Sequence, residues 1–235
     1  LAGYVGKFGH NVSILDGEPA LWGVDETVQH CIALKPNIVG ITSTTPEYPF
    51  AFEIIKKIKQ AKPKLITVMG GAHITNLPEH TIDDLGEFID WGVIYEGEKP
   101  FASIANGNPH DYLWSKGEGR KLLMAESRLD TEQLSSFQPD RDALDMTKYK
   151  YVDSESGLVK NDALEAARGC PFKCTFCTSR MTSVTFRTPD SIVTEIIESA
   201  NRYDTKMFMF FDDTFTLSRS KAVDLFSRII WSKNQ

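Results

Sequence analysis

The stretch DALEAARGCPFKCTFC, residues 162–177, runs from a short apolar segment straight into a loop that holds three of the chain's four cysteines. DALEAARG (162–169) reads as a strand, and the elements after it decide the fold of the second half. TPDSIVTEIIESANRY reads as a helix, with Thr188 as N-cap and Pro189 at the first helical position. Its expected buried stripe is Ile192, Val193, Ile196, Ile197 and Ala200. KMFMFF is a short unbroken apolar run, as in strands covered on both faces, and it ends in Asp212 and Asp213. Ser218 then caps a last helix, with Ala222, Leu225, Phe226, Ile229 and Ile230 on one side. Strand, helix, strand, helix is the opening of a β/α barrel. A whole barrel takes roughly 200 residues or more, so residues 161–235 are expected to form its first part only.

Upstream, to about residue 109, β-branched runs alternate with amphipathic segments, the pattern of a parallel sheet with crossover helices. Strands are expected at NVSILD (11–16), NIVGITS (37–43), LITVMGG (65–71) and DWGVIY (90–95), with helices at the start, at Asp25–Leu34, at Glu47–Ala61 and at Pro78–Leu85. In FAFEIIKKIKQ, Phe52, Ile54, Ile55 and Ile58 make one apolar face. The expected class is α/β, a doubly wound sheet of flavodoxin type. In that type the strand order is 2-1-3-4-5 and the first strand is internal. The chain opens at Leu1 on what reads as the helix after that strand, so the strand is expected to be missing and the chain to be a fragment. Between the two halves, residues 110–160 lose periodicity. YLWSKGEGRKLLM fits a hairpin about its Gly-Glu-Gly, and LDTEQLSSFQPDRDAL reads as connector within a linker.

Composition narrows the function classes. The 235 residues are 41% hydrophobic and 25% charged with a formal net charge of -6, and no dense Lys/Arg run offers a footprint for duplex phosphates. No stable nucleic acid partner is expected. No run of eighteen apolar residues suggests a membrane span, and LAGYVGKFGH lacks the features of a signal peptide. A cytoplasmic, reducing setting follows, where clustered thiols hold metal more often than they form disulfides.

Cys170, Cys174 and Cys177 are spaced C-x3-C-x2-C with no histidine nearby. Three soft thiolates without a local fourth ligand suit a four-iron four-sulfur cube with one iron left open. The alternatives are a structural zinc site completed by a distant residue such as Cys31 or a histidine, or a disulfide pair. Structural zinc ligands usually come in pairs, and Cys31 lies on an apolar helix face.

The loop RGCPFKCTFC resembles the cluster loop of radical S-adenosylmethionine enzymes, C-x3-C-x-aromatic-C after the first barrel strand, with Phe176 in the aromatic position. The resemblance implies that the three cysteines bind three irons and that the amino and carboxylate groups of S-adenosylmethionine chelate the fourth. It further implies that an electron from the reduced cluster yields a 5'-deoxyadenosyl radical. Phe176 would lie by the adenine, although its side chain equally suits a loop residue plugging core. Asp212 and Asp213 stand where family members often carry a Gly-Gly-Glu-like contact to the S-adenosylmethionine amino group. The alternative for both is a solvated strand end. No catalytic residue is assigned.

The first half extends the resemblance to cobalamin-dependent members of that superfamily, through GHNVSILDG, KPNIVGITSTTP, VMGGAHIT, VIYEGEKPF and LDTEQLSSFQPDRDAL. Gly70 and Gly71 at a strand end would let a bulky ligand approach the backbone. Ser43, Thr44 and Thr45 offer hydroxyls to a nucleotide tail, and Ala72, His73, Glu96, Gly97 and Glu98 share the carboxyl edge where open α/β sheets bind ligands. Glu98 equally suits a cap for the helix KPFASIAN, and His73 a satisfied loop histidine. The segment DGEPALWG has Glu18 where some cobalamin domains place a cobalt-binding histidine, so cobalamin is expected base-off with no histidine on cobalt. The function expected from the resemblance is methyl transfer to an unactivated centre of a small-molecule or natural-product-like substrate. Flavodoxin or ferredoxin would be the electron donor. Radical cyclisation or rearrangement, and a non-catalytic cofactor module, are the alternatives.

Overall fold

The computed structural model describes residues 1–108, 113–114, 122–124, 128–153, 155, 157–179 and 182–232. The chain divides into two compact units, Leu1–Arg128 and Leu129–Gln235.

The first unit contains α1 (Ala2–Gly6), α2 (Val24–Ala33), β1 (Ile38–Thr42), α3 (Tyr48–Ala61), β2 (Ile66–Gly70), α4 (Ala72–Asn76), α5 (Pro78–Leu85), β3 (Trp91–Ile94), α6 (Glu98–Ala105), β4 (Leu113–Trp114) and β5 (Leu122–Met124). The sheet order is β1-β2-β3-β5-β4, parallel from β1 to β5, with β4 antiparallel at the edge. The β4–β5 ladder is that of the expected hairpin, and its Gly-Glu-Gly turn lies outside the described residues.

Both faces of this sheet are covered. Met69 and Ile94 pack with Ile55, Ile74 and Leu85 of α3–α5, whereas Val68 and Val93 pack with Ile104 and Phe101 of α6. Side-chain alternation thus produces two apolar layers, as continuous apolar strands require. On α3, Ile55 and Ile58 are buried and Phe52 and Ile54 partly so, while the ammonium of Lys59 turns to Asp90 at 2.6 Å. Gly40 is a site of close approach, since a Cβ there would lie 2.7 Å from the Phe101 ring.

One expected strand does not form. Residues 11–16 carry no ladder, although Leu15 packs on the cluster of Val28, Cys31, Ile58 and Leu65. In the 2-1-3-4-5 order such a segment bonds only to the strand between it and β1. No strand stands there among the described residues.

The second unit contains α7 (Thr131–Ser135), β6 (Lys150–Asp153), β7 (Gly157–Leu164), β8 (Ala167–Arg168), β9 (Thr185–Phe186), α8 (Pro189–Tyr203), β10 (Met207–Phe210) and α9 (Arg219–Ser232), with short 3-10 turns at Arg141–Ala143, Met146–Lys148 and Phe215–Leu217. β7, α8 and β10 make a strand–helix–strand crossover with β7 and β10 parallel, and β6 adds an antiparallel edge. The expected strand over 162–169 is split, because β7 ends at Leu164 and β8 pairs instead with β9.

Thr188 caps α8 as expected, its side chain accepting from the Ser191 amide. The buried stripe follows the apolar one only in part, with Ile192 buried and Val193 and Ile196 packed beside it. Glu195 and Ser199 are each 1% exposed, whereas Ile197 is 42% exposed. Charge causes the shift: Glu195 meets the guanidiniums of Arg141 and Arg187 at 2.6 Å each, and Ser199 donates to Asp162 at 2.6 Å. On α9 only Leu225 is buried, and Phe226 and Ile230 are exposed. Among the described residues, no helix is long and apolar enough to cross a membrane.

Candidate functional site

At the carboxyl edge of the first sheet, the ends of β1 and β2 are locked together. The Ser43 amide donates to Gly70 O at 3.4 Å and the His73 amide to Ser43 O at 3.0 Å. Gly71 adopts φ 96 and ψ -173, a region essentially confined to glycine. A Cβ there would lie 2.5 Å from Thr42 Oγ1 and 2.8 Å from both Ser43 N and Ser43 O. The neighbour that demands glycine at 71 is therefore the chain at the end of β1, above all the Ser43 backbone. Gly70 is different, since its Cβ would meet only Val93 O at 3.7 Å.

Two buried polar atoms here have no hydrogen-bond partner among the described residues, Ser43 Oγ and His73 Nε2. His73 lies in α4, 3% exposed, with its ring stacked on Tyr48 at 3.8 Å and Nδ1 3.2 Å from Thr45 Oγ1. It is thus half satisfied, and it belongs to a helix rather than a loop. Burial pushes its imidazole below the usual range, His80 adds to this, and Asp84 opposes it. The Tyr48 hydroxyl donates to Asp84 at 3.2 Å, and burial beside that carboxylate drives the phenol upward. Tyr48 and Asp84 carry no local sequence signal that marks them as supports of His73, because Asp84 follows Tyr48 by 36 positions.

The other expected contacts divide. Both the amide and the hydroxyl of Thr44 donate to Glu47 at 2.8 Å. Ala72 begins α4, Gly97 stands as N-cap of α6, and Glu98 is buried in its first turn. Glu96 lies 3.5 Å from Arg128. Two unpartnered buried polar atoms at a carboxyl edge fit a polar ligand tail bound along it.

In the second unit, Cys170 is buried, Cys177 half-buried and Cys174 exposed. Cys170 is held from both sides, its amide donating to Thr182 Oγ1 at 2.8 Å and its carbonyl accepting from the Thr182 amide at 2.9 Å. The Cys177 amide closes a turn on Cys174 O at 3.2 Å. Cys170 Sγ lies 3.6 Å from Thr214 Oγ1, so the cysteine loop begins against the segment that follows β10. Among the described residues, no three His, Cys, Asp or Glu side chains converge in a metal-holding group. The fold therefore places the three thiols on one loop without bringing their sulfurs together. The donor set, three thiols on an irregular loop, fits an iron–sulfur cluster by its chemistry.

Phe176 is 89% exposed, which excludes a core-plugging role in this structure. Asp212 accepts from the amides of Ala166, at 3.1 Å, and Ala167. Burial raises its carboxyl group above the usual range against those bonds. Asp213 is exposed. An open cleft of about 740 Å³ lies elsewhere, between Gln138–Asp142 and the C-terminal half of α8, and none of the three cysteines lines it.

Comparison with known proteins bears first on the carboxyl-edge site. Residues 1–105 match the B12 binding domain. The orphaned Ser43 and His73 atoms lie within the residues that match this domain, at the carboxyl edge of the sheet. Over 239 residues the chain is 31% identical to an uncharacterized methyltransferase of Pyrococcus horikoshii, covering 94% of this chain and 49% of that protein. It is 26% identical over 243 residues to the anaerobic magnesium-protoporphyrin IX monomethyl ester cyclase of Rubrivivax gelatinosus, covering 98% and 43%. With the bacteriochlorophyllide d C-8(2)-methyltransferase of Chlorobaculum tepidum it shares 28% identity over 202 residues, covering 79% and 40%. The chain thus spans about half or less of the length of these relatives.

Proposed function

We propose that the chain is part of a cobalamin-dependent radical S-adenosylmethionine enzyme that transfers a methyl group to an unactivated centre of a small-molecule substrate. The observation that carries this reading is one chain with both a match to the B12 binding domain over residues 1–105 and the C-x3-C-x2-C loop beyond it. Relatives named as methyltransferases support the reaction class. Cys170, Cys174 and Cys177 would hold a four-iron four-sulfur cluster, which would pass one electron from a flavodoxin or ferredoxin to S-adenosylmethionine and so supply the 5'-deoxyadenosyl radical, with methionine as the other product.

The chain's own residues then bind and orient. Asp213 offers a carboxylate to a cationic ammonium near the cysteine loop, which stabilises the charged form. Exposed Phe176 offers a flat apolar surface to a purine. Ser43, Thr45 and His73 supply hydrogen-bonding groups to the polar periphery of cobalamin, and Gly70 leaves open backbone for its approach. The relatives named as cyclases support a second reading, radical ring formation without methyl transfer.

The test is anaerobic reconstitution of the chain with iron and sulfide, then reductant and S-adenosylmethionine. The proposal expects 5'-deoxyadenosine, and methylated product only when cobalamin is added. Turnover to a cyclised product without methyl transfer would support the second reading, and absence of 5'-deoxyadenosine in the iron-loaded protein would contradict both.

A further inference from the structure

Asp212 and Asp213 are adjacent at the end of β10, yet their environments separate them. Asp212 Oδ2 accepts from Ala166 N at 3.1 Å, and Oδ1 accepts from Ala167 N. These two amides lie where β7 has ended and β8 begins, so the carboxylate replaces the ladder partners that the interrupted strand has lost. The same junction is held by Arg187, whose amide donates to Ala166 O at 2.9 Å and whose Nη1 donates to Glu165 O at 3.1 Å. The Phe211 amide donates to Leu164 O at 2.9 Å, which fixes the approach to Asp212. Three residues after Ala167 stands Cys170, itself bracketed by Thr182 and touching Thr214. Asp213 is exposed, with no described residue hydrogen-bonded to or ion-paired with its carboxylate.

We propose that Asp212 is a positioning residue that fixes the root of the cysteine loop by binding the amides of Ala166 and Ala167, and that Asp213 alone of the pair is free to meet S-adenosylmethionine. The proposal rests on the reading that this loop holds an iron–sulfur cluster. A carboxylate is the group that satisfies two adjacent N–H donors with its two oxygens, and a neutral amide is not. Asp212→Asn keeps the shape, retains one acceptor and sets a donor against a donor. The loop root is then free to open, and Cys170 Sγ loses its fixed direction.

The test uses the full chain, reconstituted anaerobically with iron and sulfide, in wild-type, Asp212→Asn and Asp213→Asn forms. Three readouts are compared: the rate at which a chelator strips iron, amide exchange at residues 165–170, and the change in the reduced cluster's electron paramagnetic resonance spectrum when S-adenosylmethionine is added. Loss of a half-buried hydrogen bond to a charged group corresponds to about tenfold in an opening equilibrium. Asp212→Asn should therefore lose iron about tenfold faster and exchange its Ala166 and Ala167 amides about tenfold faster, with exchange in α9 unchanged. Asp213→Asn should lose iron at the wild-type rate while the spectral response to S-adenosylmethionine is weakened. Wild-type iron loss and exchange in Asp212→Asn would overturn the proposal, most directly if that variant alone lost the spectral response. Should Asp212→Asn not fold, the wild-type protein decides. Slow exchange of both amides supports the clamp, and exchange as fast as in an exposed loop refutes it. A wild-type chain that takes up no iron would instead overturn the cluster reading, leaving the exchange result to judge Asp212.

Discussion

Replacing Gly71 by Ala separates two reasons for a glycine pair at the end of β2. At φ 96 and ψ -173 an alanine is held in a region essentially confined to glycine, at a cost of about 1–3 kcal/mol. Its Cβ would also press on Thr42 Oγ1 at 2.5 Å and on Ser43 N and O at 2.8 Å. Two of those three atoms are backbone and cannot rotate away, so overpacking adds about 1–3 kcal/mol. Together the loss is about 4 kcal/mol, a large part of the roughly 5–15 kcal/mol by which a domain is stable. Gly70→Ala is the control, because its Cβ meets only Val93 O at 3.7 Å and its backbone lies outside the left-handed region. It should shift stability by less than about 1 kcal/mol. The assay is the urea dependence of amide exchange in peptides covering β1 and β2, without cobalamin, which reports the first unit by itself. If Gly71→Ala unfolded with Gly70→Ala and the wild type, yet no longer bound cobalamin, glycine 71 would serve ligand approach and the backbone argument would be wrong.

Glu195 is 1% exposed between Arg141 and Arg187. Glu195→Ala leaves two buried guanidiniums short of a counter-charge and should cost about 3–5 kcal/mol, read from urea unfolding of the second unit. A loss below about 1 kcal/mol would mean that water reaches the network. Asp90 gives a prediction on pH. Burial pushes its carboxyl group upward, but the Lys59 ammonium at 2.6 Å and the Thr67 amide at 2.8 Å prevail and hold it below the usual range. With a depressed folded value, the stabilisation is present above the unfolded value of about 3.9 and is lost as pH falls through the folded one. Asp90→Asn should therefore flatten the acid limb of a stability–pH curve, and an unchanged limb would show that Asp90 contributes nothing to it.

Periodicity made most elements legible. β1, β2, β3, α2, α3 and α5 fall where alternation and the 3.6-residue period place them, because burial on both faces leaves few other registers. NVSILD has strand composition but no ladder, since pairing depends on a neighbour that local sequence cannot supply. On one side of α8 the buried face departs from the apolar pattern. Glu195 and Ser199 look like a solvated face until Arg141, 54 positions before Glu195 in a stretch that reads as connector, turns Glu195 inward and Asp162 draws in Ser199. Connector residues 150–153 likewise become β6 only by pairing with β7.

In the site, the cysteines were visible from spacing alone. The role of Asp212 was not, because its partners are backbone amides 45 and 46 positions away and no side-chain pattern announces them. His73 was visible as a candidate, while the Tyr48 ring that stacks on it and the Asp84 carboxylate behind that ring came only from the way α3 packs beside α4 and α5.

The central claim, a cluster held by the three loop thiols, is tested most directly by iron counting and Mössbauer spectroscopy after anaerobic reconstitution of the chain. Cys31 is the internal control, since it is buried among Val28, Ile58 and Leu65 and its alanine variant should lose packing stability alone. The account predicts about four irons per chain with a four-iron four-sulfur spectrum, abolished in Cys170→Ala, Cys174→Ala and Cys177→Ala and retained in Cys31→Ala. Bound zinc in place of iron, or iron lost from Cys31→Ala as completely as from the loop variants, would contradict it.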